Sequence, residues 1–344
     1  MAIKPTPKSS RLDPLIDAGL IVADSPLGRS IAGMLNTLHS EGSVGTYLAD
    51  VATYLRFCHT AGVEPLQADR DHLQAYLAET DDRGYAPDTR RRMLSVVRRV
   101  YDEAIERDAY AGKNPAGHLG RIKGGARHGE AALTADEVAS LLANAEARIA
   151  DPDTGTALRA RRDHLLLSIM VFTAVRAAEL AGIERGDVRR HGEYTVIAIT
   201  GKGDEPDVMK LNESLERLVR AYLDALDAAG IAVAADDPLF FGIGRGTPPH
   251  IERRAGRIAP LTTRSIGRIV DESLKTIGRD GHRSAAHLLR RTSVTLVYQA
   301  TGDLLMAQRQ ARHKNTATTV EHYIKEADAL RDTGIDHIRL PKHD

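Results

Sequence analysis

The chain has 344 residues, of which 42% are hydrophobic and 27% charged, a composition typical of folded proteins with a sizeable core. Lysine and arginine (47) balance aspartate and glutamate (47), so the net charge by itself gives no indication of a polyanionic partner. Cys58 is the only cysteine, which excludes an internal disulfide and argues against a cysteine-based zinc site.

The hydropathy of the chain and its first residues predict the compartment. No apolar run approaches the ~20 residues that a membrane-spanning helix needs. The first residues, MAIKPTPKSSRLDP, lack the apolar stretch of a signal peptide. Together with the single cysteine, these features predict a cytoplasmic protein without a membrane partner.

The first part of the chain is predicted to be a helical domain over residues 26–111. Proline and serine without periodicity predict a flexible lead-in over 1–25. Apolar residues at helical spacing predict three helices, at about 43–61, 72–79 and 88–104. Glycine, proline and basic residues then interrupt all periodicity, which predicts a linker over 112–132.

The second part, 133–344, is predicted to be mostly helical with a small antiparallel sheet. Thr134 and Glu137 have the spacing of a capping box, and the strongly apolar helix 158–174 is predicted to be central to the core. β-branched residues alternate over Tyr194–Thr200, and a turn with Lys202 precedes a returning strand at 207–211. Further helices are predicted at 213–229, 262–277, 284–300, 303–311 and 316–333, with a loop rich in glycine, proline and arginine at 242–260.

Positive charge is concentrated between residues 86 and 127, a segment that contains ten basic and five acidic residues. Five of the basic residues lie away from the apolar face of the predicted helix 88–104: Arg90, Arg91, Arg92, Arg98 and Arg99. Such a row is more often the solvated back of a core-packed helix than a DNA contact. Both interpretations stay open at this point.

Two short motifs suggest a site for an anionic substrate. In TAVRAAEL, Glu179 follows Arg176 by three residues, so one helical turn lets the carboxylate orient the guanidinium. Lys202 lies in the tight turn after the strand, where a long side chain reaches beyond the sheet. Each motif alone is more often a surface ion pair or a solvated turn lysine. The GKG sequence also lacks the spacing of a P-loop.

Two further motifs follow near the end of the chain. His287 and Arg290 have i,i+3 spacing, so both side chains lie on one helix face and suit a phosphate. Tyr323 follows His313 by ten positions, with a turn signal between them. Tyr298 is the nearest other tyrosine to Tyr323, but it lies within an apolar helical pattern and is predicted to belong to the core.

In this order and at these separations, the motifs resemble the active-site set of tyrosine recombinases and phage-type integrases, the family that includes Cre and lambda integrase. The set consists of Arg176, Lys202, His287, Arg290, His313 and Tyr323. The resemblance covers most of 133–330 and extends to HLLRRTSVT and HKNTATTVEHY, and GTYLADVATYLRF is similar to the family's core-binding domain. Ala311-Arg312 departs from the pattern, because many members have Leu-Gly there, and the tyrosine often falls nine positions after the histidine.

The resemblance implies a two-domain fold, mostly α with a small antiparallel sheet: an all-α core-binding domain and an α+β catalytic domain. It implies a site-specific recombinase that cleaves and rejoins duplex DNA through a 3′-phosphotyrosyl intermediate and a Holliday junction, without ATP, metal or other cofactor. Tyr323 would be the nucleophile and Lys202 the general acid. Arg176, Arg290, His287 and His313 would hold the phosphate, and Glu179 would orient Arg176.

The resemblance also implies partners. Two domains would clamp double-stranded DNA that carries an inverted-repeat site, and four protomers would assemble on two such sites. The DNA contacts of the basic segment would come from Arg90, Arg91, Arg92, Arg98, Arg99 and Lys123. The C-terminal segment 327–340 would dock on a neighbouring protomer. The short lead-in favours a Cre-like layout without an additional arm-binding domain.

Three other functions remain open from the sequence. A type IB topoisomerase or a telomere resolvase shares the chemistry, although a separate helical domain and the short chain favour recombination. A DNA-binding regulator that has lost cleavage is expected to show gaps in the catalytic set, and none is found. For a helical scaffold protein, the alignment of six reactive side chains would be a coincidence.

Overall fold

The structure is a computed structural model, and it describes residues 11–38, 41–117, 119, 122, 131–200, 206–281 and 284–312. The chain divides into two compact units, Met1–His128 and Gly129–Asp344. Mostly helical units with small antiparallel sheets confirm the predicted fold class. In the part of the chain that the structure describes, no helix combines the length and the apolar character needed to cross a bilayer.

The first unit is a bundle of helices around α5. Its helices are α1 (Asp13–Asp17), α2 (Pro26–Asn36), α3 (Glu41–Ala61), α4 (Arg70–Asp82) and α5 (Pro87–Glu106). Pro87 occupies the first turn of α5, where its missing N–H costs no hydrogen bond. The apolar face of α5, with Met93, Val97 and Val100, is buried, and the helix contacts α2, α3 and α4. This burial explains why the helix periodicity is so clear in the sequence.

Two predicted boundaries of the first unit are wrong. Residues 11–25 were expected to be part of a flexible lead-in, yet they contain α1, and Leu12, Leu15 and Ile21 are buried in the core. The beginning of the expected linker 112–132 also packs on this core, through the buried Ala116 and Leu119. In both segments a few apolar side chains at irregular spacing find a place between helices, and periodicity cannot reveal such packing.

The second unit is built around one buried helix. Its helices are α6 (Ala135–Ala147), α7 (Thr154–Thr173), α8 (Ala177–Ala181), α9 (Glu213–Ala228), α10 (Thr263–Lys275), α11 (Ala285–Thr301) and α12 (Leu304–Ala311). The predicted capping box at α6 is confirmed, since Thr134 and Glu137 each accept from the other's backbone N–H. Helix α7 contacts α6, α9 and α11, which confirms its predicted central place.

A three-stranded antiparallel sheet lies beside these helices in the order β1 (Val188–His191), β2 (Tyr194–Thr200), β3 (Pro206–Lys210). The predicted pairing of β2 with a returning strand is confirmed, with Thr200 opposite Pro206. Strand β1 was not predicted, because its residues VRRH are polar and largely exposed. The predicted loop 242–260 contains a short hairpin of β4 (Arg253–Arg254) and β5 (Arg257–Ile258). The helix predicted at 316–333 lies outside the described residues.

Two helices of the second unit end in the same unusual way. The residue after α7 is Ala174 (φ 53°), and the residue after α12 is Arg312 (φ 51°). Both adopt the left-handed conformation, which glycine takes at the lowest cost and which stops a helix abruptly. Helix α11 contacts both α7 and α12. Arg176 follows the first of these helix ends by two positions, and His313 follows the second one directly in the sequence.

Candidate active site

Arg290 joins the two helix ends. The residue is 2% exposed, and its guanidinium donates hydrogen bonds to the carbonyl oxygens of Ala174 and Ala311. These carbonyls belong to the C-terminal ends of α7 and α12, where the partial negative charge of a helix favours a cation. Arg290 therefore holds together the two backbone segments that precede Arg176 and His313.

Arg176 is the exposed arginine of the site. It precedes α8, its side chain is 43% exposed, and Nη1 donates to Oε1 of Glu179 at 2.7 Å. The backbone N–H of Arg176 donates to Oε2 of Glu179 at 2.8 Å. This is the contact that the i,i+3 spacing predicts. The Glu179 side chain is only 6% exposed, so it binds Arg176 from the buried side. The exposed part of the guanidinium can bind a ligand from solvent.

A second arginine contacts the same carboxylate. Nη2 of Arg312 donates to Oε2 of Glu179 at 2.5 Å, and Nε lies 3.7 Å from Oδ2 of Asp207 on β3. The Arg312 side chain is 15% exposed. In the sequence, Arg312 was noted only as a departure from the family pattern. Its contact with Glu179 was not expected, because 133 positions separate the two residues. No local signal could have identified this contact.

The charges around Glu179 determine its protonation. Burial by itself raises the pKa of Glu179, but the hydrogen bonds from Arg176 and the charge of Arg312 outweigh it and lower the pKa below its ordinary value. The pKa of Arg312 is lowered by its own burial, although the charges of Glu179 and Asp207 oppose this. Glu179 is therefore a carboxylate at neutral pH, shared between two guanidinium groups.

Three members of the predicted catalytic set lie outside the described residues: Lys202, His313 and Tyr323. The described residues next to two of them lie at the site. Arg312 immediately precedes His313, and Asp207, which faces Arg312, belongs to the strand that follows Lys202. A cleft of about 500 Å³ between α8 and the sheet is lined by Glu179, Thr200, Pro206 and Asp207. Lys123, a predicted DNA contact, also lies outside the described residues.

His287 and Tyr298, about which the sequence also made predictions, both lie on α11. His287 is an exposed residue in the first turn of α11, one turn before Arg290. Tyr298 is partly buried and packs against Ala174, Val294 and Ala307. Tyr298 was predicted to belong to the core, and the structure places it only partly buried, at the edge of a small apolar cluster. Gln310 ties α12 to this region as well, because its side chain donates to the carbonyl oxygen of Phe172 at 2.8 Å.

The five arginines of α5 all form hydrogen bonds or ion pairs within the protein. Each donates to a partner within the first unit. The partners are Leu77 and Asp81 for Arg90, Asp88 and Ile122 for Arg91, Asp50 for Arg92, Ala116 for Arg98, and Thr37 and Tyr47 for Arg99. The side chain of Arg90 is 13% exposed, whereas those of Arg91 and Arg92 are 40% and 43% exposed. Part of the local basic excess therefore stabilises the fold.

A groove of about 690 Å³ beside Arg176 was missed in the sequence. It is lined by Ala177 of α8, by Arg264 and Arg268 near the start of α10, and by Ser284 before α11. The side chain of Arg268 is 74% exposed. The missed signal is the pair of arginines one turn apart on an otherwise amphipathic helix.

Among the described residues, no group of three histidine, cysteine, aspartate or glutamate side chains is placed to hold a metal ion.

Comparison with known proteins identifies the family. The model of the Phage integrase family matches residues 131–329, more than half of the chain. The chain belongs to the phage integrase family. A second model, Phage integrase, N-terminal SAM-like domain, matches residues 34–108 in the first unit. The resemblance inferred from the motifs is thereby confirmed.

Individual relatives within the family are distant in sequence. The chain is 24% identical to tyrosine recombinase XerD of Caulobacter vibrioides over 280 residues, which cover 81% of this chain and 85% of that protein. It is similar in fold to XerH site-specific recombinase in a post-cleavage complex with a palindromic difH substrate (TM-score 0.62, 17% identity, 94% and 92% covered). It is similar also to a lambda integrase tetramer bound to a Holliday junction (TM-score 0.56, 18% identity, 92% and 83% covered).

The family assignment gives the class of enzyme. The XerD proteins of Caulobacter vibrioides and Chlorobaculum tepidum are tyrosine recombinases, and they match this chain along 81% and 86% of its length, respectively. The chain is therefore an enzyme of the tyrosine recombinase class. Its candidate active site comprises the described Arg176, Glu179, His287 and Arg290, with Arg312 as an addition that the structure alone identifies.

Proposed function

We propose that this enzyme recombines DNA at specific sites through a covalent bond between Tyr323 and a 3′ phosphate. The observation that carries the proposal is the cation cluster at the ends of α7 and α12, where Arg176 and Arg312 share Glu179 and Arg290 joins the two helix ends. A phosphodiester is anionic and repels nucleophiles, so a nucleophile can attack it only where positive charge neutralises the phosphate oxygens. The exposed Arg176 is the cation that meets the phosphate from solvent.

The proposed chemistry is a transesterification. The phenolic oxygen of Tyr323 attacks the phosphorus, the bond between phosphorus and tyrosine forms, and the bond to the 5′ oxygen breaks. Lys202 gives a proton to the departing 5′ oxygen, and His287 accepts the phenolic proton. His313 donates a further hydrogen bond to the phosphate. Because the phosphotyrosyl ester conserves the energy of the broken bond, a 5′ hydroxyl can reverse the step without ATP or metal.

A covalent adduct tests the nucleophile. The chain is incubated with sheared, end-labelled genomic DNA from its own source, and protein-bound fragments are precipitated with SDS and potassium and sequenced. We expect enrichment of fragments that carry inverted repeats around a short spacer, and no enrichment with Tyr323→Phe. Tyr298→Phe is the matched control and should give the same adduct as the wild type. An adduct that survives in Tyr323→Phe would show that another residue attacks.

The recovered site then tests the general acid. Lys202→Ala should cleave this site on the order of 10²–10³ more slowly while binding it with nearly unchanged affinity. A substrate with sulfur in place of the 5′ bridging oxygen should restore cleavage, because a thiol with a pKa of about 8.5 leaves without a proton donor. If the sulfur substrate is cleaved as slowly by Lys202→Ala as the normal one, Lys202 is not the acid.

We assign DNA contacts to both units. In the first unit the contacts come from the α5 arginines and Lys123, and Arg91 and Arg92 are more exposed for such contacts than Arg90. In the second unit, Arg264 and Arg268 line the groove beside Ala177 and suit a phosphate backbone. Substitution of Arg264 by alanine should weaken binding of the recovered site and reduce the salt dependence of its affinity.

We further propose that four protomers assemble on two sites and pass through a Holliday junction. The support is the fold that the chain shares with lambda integrase, which forms a tetramer on such a junction. The segment 327–340 would link neighbouring protomers. Mass photometry with the recovered site should detect four copies, and deletion of 327–344 should leave smaller complexes. Relaxation of a plasmid that lacks the site would instead favour a topoisomerase.

A further inference from the structure

We propose that Arg312 is a positioning residue that, by sharing Glu179, keeps the positive charge of Arg176 available to a phosphate. This inference rests on the proposed function. It starts from an arginine in a backbone conformation that costs least for glycine: Arg312 has φ 51° and ψ 45°. Its side chain is nevertheless 85% buried (15% exposed) and turned onto the carboxylate that holds Arg176.

The contacts of Arg312 connect three motif segments. Nη2 reaches Glu179, which supports Arg176 at the start of α8. Nε faces Asp207 on β3, the strand that follows Lys202 in the sequence. The backbone of Arg312 ends α12 next to Ala311, whose carbonyl oxygen accepts from Arg290. One guanidinium thus fastens the end of α12 to α8 and to the sheet.

The charge of Arg312 matters as much as its reach. The two carboxylates, Glu179 and Asp207, are balanced by the guanidinium groups of Arg176 and Arg312, with Nε of Arg312 at 3.7 Å from Asp207. Without Arg312 the remaining three groups would carry a net negative charge, which opposes the approach of a phosphate to Arg176. Among the described residues, Nη1 of Arg312 has no hydrogen-bond partner although it is buried.

An opposite role would follow from the same contacts if Arg312 competed with Arg176 for Glu179. Its removal would then strengthen the grip of Glu179 on Arg176 without loss of cleavage, or would accelerate cleavage. A purely structural role would follow if Arg312 only stabilised the end of α12. Glycine separates these cases, because it adopts the left-handed conformation without strain while it removes the guanidinium. Lysine restores the charge alone.

The test compares Arg312→Gly, Arg312→Lys and the wild type in single-turnover cleavage of the recovered site at saturating protein, with DNA affinity measured separately. We expect Arg312→Gly to cleave at least tenfold more slowly with affinity within threefold of the wild type, and Arg312→Lys to cleave within threefold. Arg309→Ala, which removes an exposed arginine one turn earlier on α12, is the matched control and should cleave at the wild-type rate. Cleavage by Arg312→Gly within twofold of the wild type, or faster, would overturn the proposal. So would Arg312→Lys as slow as Arg312→Gly.

A double-mutant cycle identifies the route of the effect. If Arg312 acts by balancing Glu179, then in a Glu179→Gln background the Arg312→Gly change should slow cleavage threefold or less. An equal loss in both backgrounds would mean that Arg312 does not act through Glu179. The wild-type arm separates this inference from the proposed function. A wild type without adduct refutes the function, whereas a wild type with adduct and a fully active Arg312→Gly refutes the inference alone.

Discussion

Replacement of Arg290 by alanine should destabilise the second unit, quite apart from any effect on phosphate binding. The change leaves the carbonyl oxygens of Ala174 and Ala311 without these donors in a buried place. An unsatisfied buried group costs about 1–3 kcal/mol, so two cost roughly 2–6 kcal/mol. Release of a buried cation offsets part of this loss. We therefore expect the free energy of unfolding to fall by about 2–4 kcal/mol.

Urea unfolding of the full chain, followed by circular dichroism at 222 nm, measures the effect. The sequence has no tryptophan, so fluorescence is the weaker probe. With a slope of about 2 kcal/mol per M, the transition midpoint of the second unit should fall by on the order of 1–2 M. Arg309→Ala is the control and should change stability by less than about 0.5 kcal/mol. A loss under about 1 kcal/mol in Arg290→Ala would refute the idea that this guanidinium joins the ends of α7 and α12.

Two more predictions concern charge pairs. Arg92→Ala should lower the free energy of unfolding by about 1–2 kcal/mol, because it leaves the buried Asp50 unpaired, although solvent near the half-exposed Arg92 limits the loss. Thermal unfolding measures it, and an unchanged midpoint would contradict it. The lowered pKa of Glu179 implies stabilisation that is complete at neutral pH and lost as the pH falls below about 4.3. The stability difference between wild type and Glu179→Gln should therefore be constant from pH 7 to 5 and shrink below pH ~4, and a difference that grows there would contradict it.

Helices were the part of the fold most readily predicted from the sequence. The predicted core face of α5, the central position of α7 and the capping box at Thr134 all depend on neighbours within one or two turns. Burial of one face demands apolar residues at a fixed period, so the sequence carries the signal directly. Strand β1 lacks this signal because it is short and exposed, and its pairing with β2 supplies the structure instead.

The candidate site divides in the same way. Arg176 and Glu179 are three residues apart, so one helical turn determines their contact. His287 and Arg290 have the same spacing on α11, but His287 is exposed and Arg290 is buried between two helix ends, which the spacing did not indicate. The order of the motifs was enough to indicate the family, and the family models agree. What the α5 arginines touch was not predictable, because most of their partners lie on other helices or in the segment after α5.

The sequence alone thus determined most of the long helices and the types of residue that a phosphate site needs, since each depends on short-range spacing. Only the tertiary structure decided that Arg290 is buried between two helix ends and that Arg312 shares Glu179 with Arg176. The physical reason is separation along the chain. Contacts such as the one between Arg312 and Glu179 join residues that meet only when α7, α11 and α12 have packed, and a hydrogen bond over that distance leaves no periodic trace.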